Sequence, residues 1–252
     1  MKDSTRYLVE WAKNYFEANN VKYAVIGLSG GKDSTISAAI LKEALGSERV
    51  IGVQMPNGVQ KDINDSTRVM DFLNLPKENR FLVNINDAYN ALLKSTFNTT
   101  EGLTSVITTN LPARLRMATL YNIAAYLGSA RVIATSNASE IYVGYMTKFG
   151  DAGDLALLAN LTVTEVLKIG DDLGLPYDLV HKAPSDGMSG KTDEDNLGFT
   201  YSDLDAYILK GKEPNEETLF KIKRRYKNNF HKHSPMPSPV LPKELKDELE
   251  RE

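Results

Sequence analysis

The 252-residue chain contains no cysteine. That absence excludes disulfides, thiolate zinc sites and any cysteine nucleophile within this polypeptide. Long apolar runs are missing too, and none approaches the roughly 18 residues that suggest a membrane span. There is no basic excess: the net charge is -3, which argues against a dedicated nucleic-acid binder. The first residues, with Trp11 and Tyr15 among polar neighbours, lack the charged-then-apolar layout of a signal peptide. What remains, at 42 % apolar and 25 % charged residues, is the composition of an ordinary globular protein with room for a substantial core. A cytoplasmic enzyme without membrane or nucleic-acid partners is the expectation.

Short β-branched runs alternate with helical patterns through the first half. Tyr23 to Leu28, Val50 to Met55, Phe81 to Ile85 and Arg131 to Thr135 read as strands. Helical spacing falls between them, over Ser34 to Leu45, Asp62 to Leu73, Asp87 to Phe97 and Pro112 to Leu127. Such alternation predicts an α/β fold, an open doubly wound parallel sheet flanked by helices. Beyond Thr147 the pattern offers no strand. Thr162 to Leu173, Ser202 to Leu209 and Asn215 to Asn229 look helical, which predicts a helical C-terminal extension on one domain spanning residues 1–252. Pro184 to Asn196 is a polar loop with Gly187 and Gly190, and Ser234 to Pro242, with four prolines, reads as an extended arm before a charged tail.

Gly27-Leu28-Ser29-Gly30-Gly31-Lys32-Asp33-Ser34 stands directly after a predicted strand and directly before a predicted helix. Glycines let backbone N–H groups approach an anion, and a helix N-terminus adds unpaired donors and a favourable dipole. The plain alternative is a glycine turn with Asp33 or Ser34 capping the helix. A Walker A loop needs four residues between its first glycine and Gly-Lys, followed by Ser or Thr. Here Gly27 and Gly31 have three between them and Asp33 follows Lys32, so that loop type is excluded.

The Ser-Gly-Gly-Lys-Asp-Ser string resembles the signature of the N-type ATP pyrophosphatases, which split ATP between its α and β phosphates. Without cysteine, the sulfur-transferring members of that group are disfavoured, and any glutaminase would reside on another chain. Asn110 to Met117, Thr135, Ser139-Glu140, Thr147 to Asp151, and His231-Lys232 before Pro235 follow the order and spacing of the ammonia-dependent NAD synthetases. The resemblance covers nearly the whole chain, from about Tyr7 to about Pro239.

It implies ATP- and magnesium-dependent amidation of deamido-NAD with ammonia, through an acyl-adenylate, in a homodimer that binds the dinucleotide at the subunit interface. Residues 27–34 and Thr135 would hold ATP, with Ser185 at a phosphate contact usually made by threonine. Asp33 and Glu140 would bind Mg2+. Arg114, Lys148, Asp154, His231 and Lys232 would hold deamido-NAD, Asp151 would face ammonia, and residues 184–196 would form a lid. The chain departs from the family at Val163, where an ATP-contacting lysine is usual, and near Gly150-Asp151-Ala152-Gly153-Asp154, which is one residue short. Lys32 occupies the variable position of the signature.

Taken without the resemblance, Glu140 and Asp151 could be solvated loop carboxylates. Arg114 and Arg116 could straddle a helix start and pair at the surface. Tyr145 could pack in a helix core or stack on a pyridine ring. The basic run from Lys221 to Lys232 could be a solvated helix face. Two other readings stand beside the leading one: an ATP-pyrophosphatase subunit of another amidotransferase, of the GMP synthetase type, and a non-catalytic nucleotide-binding homologue.

Overall fold

The computed structural model describes residues 1–59, 63–97, 102–182 and 192–249. In chain order the elements begin with α1 (Asp3–Ala18), β1 (Tyr23–Gly27), α2 (Lys32–Leu45), β2 (Val50–Gln54), α3 (Ile63–Phe72) and β3 (Arg80–Leu82). They continue with α4 (Asn86–Thr96), α5 (Ser105–Leu127), β4 (Ala130–Ala134), α6 (Ala138–Val143) and β5 (Leu155–Ala156). The helical C-terminal part comprises α7 (Val163–Asp172), α8 (Tyr177–Val180), α9 (Asp193–Leu197), α10 (Tyr201–Lys210), α11 (Glu216–His233) and α12 (Lys243–Leu249).

The strands form one parallel sheet in the order β3-β2-β1-β4-β5. Because successive side chains on a strand point to opposite faces, β1 feeds two cores. Ala24 and Ile26 join Ile36 and Ile40 of α2 and Val166 and Ile169 of α7 on one face. Val25 joins Ile51, Val53, and Leu120 and Ile123 of α5 on the other. Each fully buried aliphatic side chain contributes about 1.5–3 kcal/mol. A third cluster, around Val143, Leu204 and Ile222, binds α6 to α10 and α11. No helix among the described residues is long and apolar enough to cross a membrane.

The expected doubly wound sheet is present, and several local readings need correction. A two-residue strand, β5, does follow Thr147, parallel to β4 through Ile133–Leu155 and Ala134–Ala156; it is too short to carry an alternation signal. Helix α5 begins at Ser105, with Pro112 inside it, so Arg114 and Arg116 lie within a helix and do not straddle its start. Thr108 and Thr109 donate their hydroxyls to the Ser105 carbonyl, so the polar first turns satisfy themselves without an apolar stripe. Residues 184–191 lie outside the described residues, but Thr192 caps α9, so the end of the predicted loop is helical. The C-terminal arm is extended only to Pro242, and α12 follows. α1 carries a buried face at Thr5, Ala12 and Phe16 that the N-terminal reading passed over.

Candidate active site

The strand order places β1 between β2 and β4, so the chain winds outward in opposite directions from β1. Ligands in open parallel sheets bind at such a reversal, beyond the carboxyl ends of the strands. Gly27 ends β1 and Ala134 ends β4, and both line a cavity of about 600 Å³. The whole 27–34 segment lines it, as do Thr135, Glu140 and Asp151.

Residues 27–34 run from the end of β1 into the start of α2, the strand–turn–helix arrangement expected for them. Gly31 is the N-cap of α2 and makes no side-chain cap, which disposes of the capping explanation for Asp33 and Ser34. The first N–H groups of α2 therefore have no side chain competing for them. Within the loop, the Ser29 hydroxyl accepts from the Gly31 N–H at 3.1 Å, and the Ser34 hydroxyl donates to the Gly31 carbonyl at 3.1 Å. Gly30 takes a φ of +81°, and a Cβ there would meet Asp65 Cβ at 2.8 Å, so both conformation and packing demand glycine. Asp65 in turn pairs with Lys182 at 2.7 Å, and Lys182 also lines the cavity.

Across the crevice, the turn after β4 carries a residue that no sequence signal marked. Asn137 is fully buried and donates from Nδ2 to Asp33 Oδ1 at 3.1 Å. Its Oδ1 accepts from the Glu140 N–H at 3.0 Å, while Glu140 Oε2 accepts from the Asn137 N–H at 3.2 Å. This capping box starts α6 and fixes Glu140 facing Asp33. Burial first, and then the neighbouring Asp33 charge, push the Glu140 carboxyl up to about 8. Lys32 pairs with Asp33 Oδ2 at 2.7 Å with its side chain 4 % exposed. Burial opposes the Lys32 ammonium, yet Asp33, Glu140 and Asp193 together hold its pKa above the ordinary value.

The expected magnesium ligands are Asp33 and Glu140, and their chemistry suits that ion. Both offer hard oxygens, and a divalent cation between them would remove the repulsion that now raises Glu140. No cluster of three or more metal-binding side chains occurs among the described residues. Magnesium, which keeps waters and shares phosphate oxygens, is accommodated by two carboxylates.

At the far wall Asp151 accepts from the Thr147 N–H at 2.6 Å. Burial raises its pKa, against the pull of that N–H, Arg116 and Lys232. Arg116, which looked like a surface residue in sequence, lines the cavity and donates from Nε to the Met55 carbonyl at 2.9 Å. Tyr145 lies just past α6, after the left-handed Gly144 that ends it; it packs against the third apolar cluster as core packing predicted, and it also lines the cavity and donates to Asp193 Oδ1 at 3.1 Å.

None of the residues assigned to deamido-NAD lines this cavity. Arg114 borders a second, open cavity of about 350 Å³ with Tyr121 and Phe149. Lys148 donates to the His231 carbonyl at 2.6 Å, and Lys232 donates to the Gly144 and Met146 carbonyls at 2.8 and 2.9 Å. Asp154 accepts from the Val132 N–H at 2.8 Å and from the Tyr121 hydroxyl at 3.1 Å. In the basic run on α11, Lys223, Arg224 and Lys227 are exposed as a solvated face would be, and Lys221 pairs with Glu217 at the surface, while Arg225 donates to the Asn196 carbonyl. Ser185 lies outside the described residues.

Residues 4–236 match the family model described as NAD synthase. The chain belongs to the NAD synthase family. Among curated relatives, it is 38 % identical over 244 residues to the NH3-dependent NAD+ synthetase of Carboxydothermus hydrogenoformans, covering 95 % of this chain and 98 % of the relative. The solved NMN synthetase of Francisella tularensis superposes with a TM-score of 0.85 at 35 % identity, over 94 % of this chain and 97 % of that one. The NH3-dependent NAD synthetase of Campylobacter jejuni superposes with a TM-score of 0.74 at 28 % identity, with the same two coverages. As a NAD synthase family member the chain is an ATP-using ligase that forms a C–N bond.

Proposed function

We propose that this chain amidates deamido-NAD with ammonia, consuming ATP and Mg2+ and releasing AMP and pyrophosphate. The observation that carries the reading is the pair of facing carboxylates, Asp33 and Glu140, joined by Asn137 directly beside an uncapped helix N-terminus. A phosphate loop alone would only bind nucleotide.

A carboxylate resists attack by ammonia because oxide is a poor leaving group. The nicotinate oxygen therefore attacks the α-phosphorus of ATP, and pyrophosphate departs. Ammonia then attacks the acyl carbon, the C–O bond to AMP breaks with its electron pair, and a proton passes from nitrogen to a base. No protein nucleophile is required, so the chain contributes positioning and charge. The N–H groups at the start of α2 hold phosphate oxygens, and Thr135, at the end of β4, borders the nucleotide. Asp33 and Glu140 would hold magnesium, which would supply charge neutralisation for the departing pyrophosphate. Asp151 binds ammonium and accepts its proton, a role its burial-raised pKa favours.

Arg114, with Tyr121 and Phe149, forms the wall against which the dinucleotide lies, and Lys148, Asp154, His231 and Lys232 organise that wall. The second cavity is open, and Tyr126 on the same helix is 84 % exposed, which favours a homodimer that completes the substrate site. The lid reading for residues 184–196 rests on Lys182, just before that segment, and Asp193, within it, both of which line the cavity.

The likeness to the Francisella NMN synthetase, at 35 % identity beside 38 % to the Carboxydothermus NAD+ synthetase, brings in a second reading, in which the acid amidated is the mononucleotide. One assay tests both. Purified protein is mixed with ATP, magnesium, ammonium and either nicotinic acid adenine dinucleotide or nicotinic acid mononucleotide, and amide and AMP are quantified. Faster NAD formation supports the first reading, faster NMN formation the second, and no amide from a folded protein removes both.

A further inference from the structure

Lysine is seldom buried unless its charge is matched, and Lys32 is buried inside the phosphate loop with a single hydrogen-bond partner, Asp33 Oδ2, among the described residues. Its ammonium lies 5.7 Å from the centroid of the Tyr201 ring. The Tyr201 hydroxyl is buried and has no hydrogen-bond partner among the described residues. Val163, the first residue of α7, packs in the same apolar cluster as Tyr201, and its N–H is taken by the Ser139 hydroxyl at 3.0 Å. Position 163 is thus apolar, and Lys32 supplies the ammonium beside the Tyr201 ring.

We propose that Lys32 holds the β- and γ-phosphates of ATP in this chain, as a cation carried by the phosphate loop where position 163 supplies none. The proposal rests on the ATP site argued above and deepens it. An ammonium has three donors, and Asp33 engages one. The same carboxylate is an expected magnesium ligand. With the divalent ion on Asp33 and Glu140, the ammonium loses its claim on Asp33 and is repelled by the metal. The polyphosphate is then the anion within reach of a four-carbon stem anchored at the first turn of α2. The side chain needs no backbone movement to exchange one partner for the other, because it already lines the cavity. A lysine in this position acts as a movable point charge.

The test is calorimetric titration of the magnesium-loaded protein, without the acid substrate, using ATP and AMP in parallel. AMP lacks the two phosphates concerned. Lys32→Met and Lys32→Gln are each expected to weaken ATP binding about 10- to 100-fold, the range of a charge-assisted hydrogen bond, and to leave AMP binding nearly unchanged. Adding Val163→Lys to Lys32→Met is expected to recover most of the ATP affinity. Equal losses for ATP and AMP would assign Lys32 a purely structural role and overturn the proposal, as would ATP affinity within about threefold of wild type in both single variants. No recovery in the double variant would overturn the relocation of the charge. A wild-type protein that binds AMP and ATP equally would sink the proposal while leaving the nucleotide site standing. One that binds neither would remove the nucleotide-site reading itself.

Discussion

Asn137 Nδ2 stands 3.1 Å from Asp33 Oδ1, and this one contact joins the two sides of the crevice. The same side chain caps α6 and so aims Glu140. Replacing Asn137 with alanine removes both functions, with about 1 kcal/mol lost through the cap alone. A serine at this position can still cap but cannot reach across to Asp33. Asn137→Ala should therefore lower both thermal stability and magnesium affinity, and Asn137→Ser should recover stability while affinity stays about 10- to 100-fold down. Magnesium dependence of turnover, measured beside melting temperature, separates the two.

Asp33→Asn keeps the shape of the side chain but removes its charge. AMP formation should fall on the order of 100-fold or more, with the circular dichroism spectrum unchanged. Near-normal turnover would show that Asp33 is not a ligand of the catalytic metal.

Glu140 predicts a pH dependence whose sign can be worked out. Its folded, metal-free carboxyl titrates at about 8 against an ordinary 4.5, so between those values the folded state keeps a proton that the unfolded chain has lost. Stability of the metal-free protein therefore falls as pH rises through that window. Asp151, also raised by burial, adds to the same trend. In a chelator, melting temperature should decline from about pH 5 to 8, and Glu140→Gln should flatten the decline. Magnesium and ATP should release protons on binding at pH 7, detectable as a buffer-dependent heat.

Asp151→Asn should raise the ammonium concentration needed for half-maximal rate and cut kcat/KM for ammonium by about 100-fold. ATP affinity should hardly change, because Asp151 is bonded to the Thr147 N–H and not to the phosphate loop. An equal loss for ATP would contradict its assignment to ammonia.

Asp205 is a structural counterpart. It accepts from the Ser139 hydroxyl at 2.5 Å and from the Thr164 N–H and hydroxyl, each at 2.7 Å, tying α6, α7 and α10 together. Asp205→Ala leaves buried donors without an acceptor and should cost about 3 kcal/mol, read as a lower urea midpoint with little change in slope.

What the sequence revealed and what it hid divide along a physical line. The phosphate loop was legible because strand, glycines and helix start follow one another within eight residues, and all its chemistry is local. The strand–helix alternation was legible because each strand of a parallel sheet is buried as a continuous run, as in β2. Arg116 and Asn137 were not, since an arginine within a helix and an asparagine in a turn look alike whether they face solvent or a cavity. Asp193, in the predicted lid, likewise joined the site only in three dimensions, where it lines the cavity and accepts from Tyr145. Short β5 and the polar first turns of α5 were missed because neither carries an apolar repeat that a pattern can register.

The position of β1 also constrains the order of assembly. Asp33 and Asn137 are 104 residues apart, and between them the chain lays β2 and β3 on one side of β1 before β4 pairs with the other. During synthesis the phosphate loop thus emerges long before its opposing acid can arrive. Until β4 docks, the emerging chain has half a crevice and no second carboxylate. Nucleotide and metal that use both carboxylates can favour only a chain in which β4 has docked, so they cannot act on the first step of folding.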